Sequence, residues 1–391
     1  MQYSRFTQKI AGDGAEAWDI HTRAVAMADA GADVILLSMG DPDFDTPPAI
    51  VEAAVTSLRE GHTHYTGFTG EPALLKVIAA QHAEATGCDV TEENVVVLSG
   101  AQCALFCAMH CIVDAGDEVI VPEPAYVTYE AVVRATGAEM VGVPMLPEQH
   151  FRVSADTIRS AVTDKTRAIL LNTPHNPTGA VISPQELQAI ADIAIEHDLW
   201  VVSDEVYASL TYDQPHHSIS GLAGMQERTI VINSVSKSHA MTGWRVGWTI
   251  GPKELSGHLA NMSTCMLYGC PTFSQHAVVT ALTAELDELD IMKQKYRARR
   301  DLVYRQLSQV PDLHCHLPEG GMFIMVDIRH SGCTAEEFAT QLLDDYGVSV
   351  LAGDAFGASA AGHIRLGLIA ELPVLEDACQ RIERCFLSLR K

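Results

Sequence analysis

Lys237 stands between Ser236 and Ser238, just past the apolar run Thr229-Ile230-Val231-Ile232-Asn233, with Arg245 eight residues further on. That run reads as a buried strand ending in hydroxyls. A lysine leaving such a strand beside a second cation is disfavoured as an ammonium, because burial and the neighbouring charge both penalise the protonated form. Its free amine is then a nucleophile for an aldehyde. The hydroxyls of Ser234 and Ser236 and the guanidinium of Arg245 are groups that hold a phosphate. A phosphate-bearing aldehyde joined to a lysine describes pyridoxal phosphate. An ordinary lysine at a strand-to-loop junction is the rival reading of Ser-x-Ser-Lys taken alone.

Other residues carry matching chemistry. Asp204 closes the apolar stretch Val201-Val202-Ser203, and a buried acid is expensive unless it meets a cation. The protonated ring nitrogen of the cofactor would be one; a helix-start acid is the plain alternative. Asn176, between Pro174 and Pro177, has a restricted backbone and an amide able to donate to the ring phenolate oxygen. Tyr207, three residues beyond Asp204, can reach the same oxygen. Ser99-Gly100-Ala101-Gln102 places small residues before a helix, which exposes backbone N–H groups to an anion. Arg365 lies within the strand-like His363-Ile364-Arg365-Leu366-Gly367, where a fork to a substrate carboxylate competes with an internal salt bridge as its explanation.

These residues fall between elements that alternate strand and helix. Strands are predicted at Val95–Leu98, 119–122, 140–143, 168–172, Trp200–Asp204, Thr229–Ser234 and 246–250. Most are continuous apolar runs, as a sheet covered on both faces requires. A helix is predicted over 185–197, capped by Ser183 with Pro184 at its first position. Earlier come a helix at about 15–30, a strand at 34–38 and a turn-rich crossing, Met39-Gly40-Asp41-Pro42-Asp43-Phe44-Asp45-Thr46-Pro47-Pro48. Later come a loop over 263–273, a long charged helix over about 285–309, and strands at 321–328, 348–352 and 363–368. The fold expected is α/β. It has a large domain with a mainly parallel seven-stranded sheet between helices, ligands at the carboxyl ends of its strands, and a smaller α/β domain. The boundaries expected are an N-terminal segment 1–45 belonging to the small domain, a large domain 46–290 and a small C-terminal domain 291–391.

Composition narrows the class. The chain has 391 residues, with 26 Lys and Arg against 50 Asp and Glu, a formal charge of −24. That balance argues against a nucleic-acid partner and an anionic membrane surface. No apolar run is long enough for a transmembrane helix, and Met1–Phe6 has no h-region, so a cytoplasmic enzyme is expected. The ten cysteines then read as reduced thiols. Cys103, Cys107 and Cys111 share one helix face, as a packing stripe or a thiol metal site, the former favoured. His314-Cys315-His316 lies in a polar loop and alternates. No metal is expected.

Gly40 to Pro47, Asn176-Pro177-Thr178-Gly179, Ser203-Asp204-Glu205-Val206-Tyr207 and Ser234 to Arg245 together resemble the class I/II aminotransferases, the pyridoxal-phosphate enzymes of fold type I. The resemblance runs in order over nearly the whole chain. It implies Lys237 as the cofactor lysine and proton shuttle, and Gly100, Ala101, Gln102, Ser234, Ser236 and Arg245 as the phosphate seat. It implies Tyr126 stacked on the ring, Asn176 and Tyr207 on its phenolate oxygen, and Asp204 on its nitrogen. Gly40, Asn176 and Arg365 would meet the substrate α-carboxylate. Tyr65 would reach the cofactor phosphate of the other subunit, so a homodimer with sites at the interface is implied. The bonds Asn176–Pro177 and Glu123–Pro124 would be cis.

Segments outside this shared set, among them Ala17-Trp18-Asp19-Ile20-His21, Cys265-Met266-Leu267-Tyr268-Gly269 and Ala361-Gly362-His363, resemble family members that transfer the amino group of arginine to pyruvate. The substrates implied are an amino acid and a 2-oxo acid, with Glu16 and Trp18 as candidates for holding the guanidinium. A helix start is the rival account of those acids. Ser263 to Tyr268 contains no Arg or Lys, which disfavours aspartate. Transamination of another neutral or aromatic amino acid, a β-lyase on the same cofactor residues, and a non-catalytic cofactor sensor are the alternatives.

Overall fold

The computed structural model describes residues 1–10 and 18–390. A seven-stranded sheet forms its centre, in the spatial order Val95–Leu98, Gly247–Ile250, Thr229–Ser234, Trp200–Asp204, Thr166–Asn172, Glu118–Glu123 and Glu139–Pro144. Gly247–Ile250 runs antiparallel to both its neighbours, and the other paired strands are parallel. Successive side chains of a strand point to opposite faces, and the two apolar cores follow that alternation. Ala168, Leu170, Val202, Ile230 and Ile232 pack with the helices Ala101–Ile112 and Lys253–Met266. Ile169, Leu171 and Val201 pack with Ala155–Ala161 and Pro184–Glu196 on the other side. Ser183 caps the latter helix by accepting from the Glu186 N–H at 3.2 Å, with Pro184 in its first turn as expected.

A second, antiparallel sheet orders Leu351–Ala352, His363–Gly367, Phe323–Asp327 and His314–Cys315. The short strand Ile35–Leu36 pairs in parallel with Val348–Ser349, so the early chain joins the late chain. Helix Asp287–Leu307 packs on helix Leu372–Leu389. Its Arg299, 1% exposed, makes a two-pronged pair with Asp43 at 2.7 and 2.8 Å, which ties the crossing after Gly40 to this half of the molecule.

Several local expectations change. Helix Lys253–Met266 continues into the stretch expected to be loop, and Thr272–Thr283 begins inside it, leaving a short connection around Tyr268. His314 and Cys315 form a two-residue strand against Val326 and Asp327 rather than a loop. The predicted helix at 15–30 is Asp19–Asp29, with its first residues outside the described part, and Pro48 itself opens the next helix. Both Glu123–Pro124 and Asn176–Pro177 are cis, and so is Thr173–Pro174.

Candidate active site

The parallel strands deliver their last residues to one edge of the large sheet. Asn172 lies opposite Asp204, Asp204 opposite Ile232, and Ser234 opposite Gly247. A cavity of about 230 Å³ opens there, lined by Gly40, Asn176, Asp204, Tyr207, Lys237 and Arg365. Ala101, Gln102, Tyr126, Ser234, Ser236, Arg245 and Trp18 complete most of the expected set in the same cavity. Two of the expected residues do not line it: Gly100, which lies against the Arg245 guanidinium, and Tyr65, which is 82% exposed on a separate surface. Glu16 lies outside the described residues.

Lys237 is carried by the one-turn helix Val235–Ser238 that follows strand Thr229–Ser234. Ser234 starts that turn, its hydroxyl accepting from the Ser236 N–H at 3.3 Å. The Lys237 ammonium donates to the Gly40 carbonyl. Burial lowers its pKa from 10.5 to about 8; Arg365 and Arg245 push the same way, against Asp41 and Asp204. Thr242 holds Asp41 through a 2.7 Å hydrogen bond. Gly40 has a packing reason to be glycine, since a Cβ there would stand 2.5 Å from the Phe323 ring.

Asp204 is 8% exposed, and its carboxylate accepts only from neutral donors: the Tyr129 hydroxyl at 2.7 Å and the Val206 N–H at 3.3 Å. Burial raises its pKa to about 6. Arg365, 1% exposed, pairs with no acid among the described residues. It donates to the Ser38 carbonyl at 2.5 Å and to Asn176 Oδ1 at 3.1 Å, and its Nε has no partner. The ring of Phe323 lies 4.2 Å from its guanidinium carbon and that of Phe356 5.0 Å. No internal salt bridge to this arginine is present among the described residues. Burial lowers its pKa to about 10, which still leaves it charged at neutral pH. Asn176 is aimed by its own backbone N–H, which donates to Asn172 Oδ1 at 2.7 Å. It also faces the buried Tyr207 hydroxyl, whose pKa burial raises.

Gly100 opens helix Ala101–Ile112 at φ +83, and a Cβ there would collide with the Arg245 guanidinium. Arg245 itself donates to the carbonyls of Thr242 and Ser99 at 2.8 and 3.3 Å. A helix start, a guanidinium and two serine hydroxyls thus meet at one end of the cavity, the donor set a phosphate ester needs. At the other end lie a buried carboxylate without a cation and a buried guanidinium with an unused N–H. Pyridoxal phosphate carries a phosphate, a ring nitrogen that can be protonated and a reactive aldehyde, so these residues fit it. The residues missed from sequence are Tyr129, Asn172, Met39, Leu105, Val206, Thr242 and Phe323. Only Tyr129 left a sequence signal, three residues after Tyr126 at a helix start.

Comparisons with known proteins show which family the chain is similar to. The family model described as aminotransferase class I and II matches residues 32–382. An arginine–pyruvate transaminase of Pseudomonas aeruginosa is 54% identical over 389 residues, covering 100% of this chain and 99% of that protein. An aspartate aminotransferase of Geobacillus stearothermophilus is 36% identical over 378 residues, 95% of each. Among solved structures, the Thermus thermophilus aspartate aminotransferase with maleate superposes at TM-score 0.94 and 35% identity, covering 98% of this chain and all of that one.

Proposed function

The chain belongs to the class I and II aminotransferases, pyridoxal-phosphate enzymes, and from that premise we propose that it transfers the α-amino group of arginine to pyruvate. The observation that carries the chemistry is the meeting of Lys237, Asp204 and Arg365 in one cavity. The donor and acceptor are taken from the Pseudomonas aeruginosa relative, at 54% identity over the full length.

Each residue has a proposed task. Lys237 would hold the cofactor through its amine until a substrate amine takes its place. It then takes the proton from the substrate α-carbon on Nζ and returns it during product formation. Bound in the cavity, pyridoxal phosphate supplies an electron sink for the pair left when that C–H bond breaks. Asp204 would keep the ring nitrogen protonated, and Asn176 and Tyr207 would donate to the ring oxygen. Arg245, Ser234, Ser236, Gln102 and the N–H groups after Gly100 would hold the phosphate. Tyr126 would pack on the ring face, and Arg365 would hold the α-carboxylate so that the scissile C–H faces Lys237. A lysine titrating near 8 is half deprotonated at that pH. The cofactor-free chain should thus take up pyridoxal phosphate at a rate that rises with pH and levels above about 8. A rise continuing to the 10.5 of an ordinary lysine, followed by absorbance, would count against the assignment.

For the side chain, Trp18 is the proposed reader, with Glu16 as its charged partner. Trp18 lines the cavity and packs beside Val127 and Phe356. A guanidinium over an indole face is worth roughly 0.5–2 kcal/mol. Trp18→Leu should therefore lower kcat/KM for arginine by about 3- to 30-fold and leave alanine nearly unchanged. A panel of amino donors against pyruvate and 2-oxoglutarate measures both. Equal losses for the two donors would mean that Trp18 only supports the fold, and release of ammonia with pyruvate from a β-substituted amino acid would favour a lyase.

A homodimer is proposed as well. Tyr65, Phe68 and Tyr268 form an exposed aromatic group, with ring centroids 4.9 and 5.4 Å apart. A second copy covering it would let Tyr65 reach that copy's phosphate seat. We propose the domain division 1–45 with 291–391 against 46–290, supported by the Ile35–Val348 pairing and the separate sheets. Among the described residues no helix is long and apolar enough to cross a membrane. A cytoplasmic location is proposed, in keeping with ten cysteines present as free thiols.

A further inference from the structure

Among the described residues Arg365 meets no acid in the cavity, and neutral groups fix its fork. One of its two side-chain contacts is Asn176 Oδ1, and the other is a main-chain carbonyl, that of Ser38, at 2.5 Å. The direction of that carbonyl depends on the plane of the peptide after Ser38. The backbone just before it is pinned: the Leu37 N–H donates to the Ser349 carbonyl at 2.9 Å, and the Leu37 carbonyl accepts from the Gly367 N–H at 2.8 Å. Ser38 itself is pinned by its side chain. Its hydroxyl oxygen accepts from the Ser349 hydroxyl at 2.7 Å and lies 2.9 Å from Nδ1 of His21. Ser38 and Ser349 are fully buried, and His21 is half-buried with its ring edge-on to Trp18, centroids 6.4 Å apart.

We propose that His21, through the hydroxyl chain of Ser38 and Ser349, is the positioning residue that sets the aim of the Arg365 fork. This rests on the reading of Arg365 as the α-carboxylate site. Ser349 donates its hydroxyl to Ser38, which leaves the Ser38 O–H free to donate in turn. In the proposed arrangement it donates to a neutral His21 whose Nδ1 carries the lone pair. Burial lowers the His21 pKa, which favours that neutral form. With the chain complete, the Ser38 side chain cannot rotate, its peptide cannot tilt, and the Nη2 hydrogen bond stays in register. The Nη protons not used by Ser38 and Asn176 are then free for a carboxylate without rearrangement, the preorganisation that binding sites require. Sequence order hides this arrangement, because His21, Ser38, Ser349 and Arg365 come from four separate elements.

Such a role predicts a split in kinetics. Every amino donor presents the same α-carboxylate, so His21→Ala and Ser38→Ala should raise KM for arginine and for alanine by one common factor. The loss of one anchoring hydrogen bond sets it at roughly 3- to 10-fold. The inhibition constant of propionate, a carboxylate without an amine, should rise by the same factor, while kcat changes by less than about twofold. His21→Asn, whose amide oxygen can still accept from Ser38, should restore most of the lost affinity if the contact is what matters. Arg365→Lys serves as the control for the underlying assignment. If Arg365→Lys raises both constants and the His21 and Ser38 variants move neither, this inference is overturned and the Arg365 reading stands. If Arg365→Lys also leaves both unchanged, the reading and the inference fall together. A loss in kcat alone, or a KM effect confined to arginine, would likewise overturn the positioning role.

Discussion

Lys237→Ala should lose transamination by about four orders of magnitude in kcat, the upper range for removing a positioned acid–base group. Cofactor binding should survive. The proposed phosphate seat, Arg245, Ser234, Ser236 and the start of helix Ala101–Ile112, does not depend on the lysine side chain. Borohydride should no longer fix the cofactor to the variant, although equilibrium dialysis still detects it. The large effect follows from how singular Lys237 is in the cavity. The other lining cations among the described residues are Arg245 and Arg365, and neither guanidinium can give up its proton near neutral pH. Turnover within tenfold of wild type would remove Lys237 from the centre of the mechanism.

Asp204→Asn should move activity and stability in opposite directions. The ring nitrogen would lose its counter-charge, and the single-turnover rate of α-proton removal should fall by about 10²- to 10³-fold, as for other preorganised electrostatic groups. Asparagine can still accept from Tyr129, so the local packing survives. The stability argument needs its sign stated. Burial raises the carboxyl from 3.8 to about 6, so the folded, cofactor-free chain binds this proton more tightly than the unfolded one. The benefit of protonation is complete below pH 4 and is lost as pH rises through about 6. At pH 7 an ionised Asp204 therefore costs the cofactor-free fold on the order of 3 kcal/mol. Asp204→Asn should raise the Tm of the cofactor-free protein at pH 7 and have little effect at pH 4. Equal Tm changes at both pH values would show that the carboxylate is not strained by burial.

The chemistry was legible wherever a polar residue interrupted an apolar run. Asp204 and Arg365 stood out because burial leaves an unpaired charge with few options, and Asn176 because the flanking prolines restrict its backbone. The sheet was legible for the related reason that doubly covered strands must be apolar throughout. Two-residue strands such as His314–Cys315 leave no such trace. Ser263 to Met266 contains no helix-breaking residue, and the helix Lys253–Met266 runs through it where a loop was expected. Tyr129, Thr242, Ser38 and His21 act through contacts that only the fold creates, and their types recur throughout the chain. Tyr65 was named from resemblance, and a single chain leaves it in solvent.

The pairing of Ile35–Leu36 with Val348–Ser349 also has a consequence for biosynthesis. The strands that build the phosphate and ring end of the cavity, from Val95–Leu98 to Gly247–Ile250, leave the ribosome well before the C-terminal third. Domains generally fold as units during synthesis, earlier ones first. Ser38 must wait with its strand unpaired until Val348 and Arg365 emerge. A nascent chain stalled near residue 300 should already capture pyridoxal phosphate yet have no grip on an amino acid. On this order the proposed cofactor pocket would form before the proposed substrate pocket, which waits for Arg365.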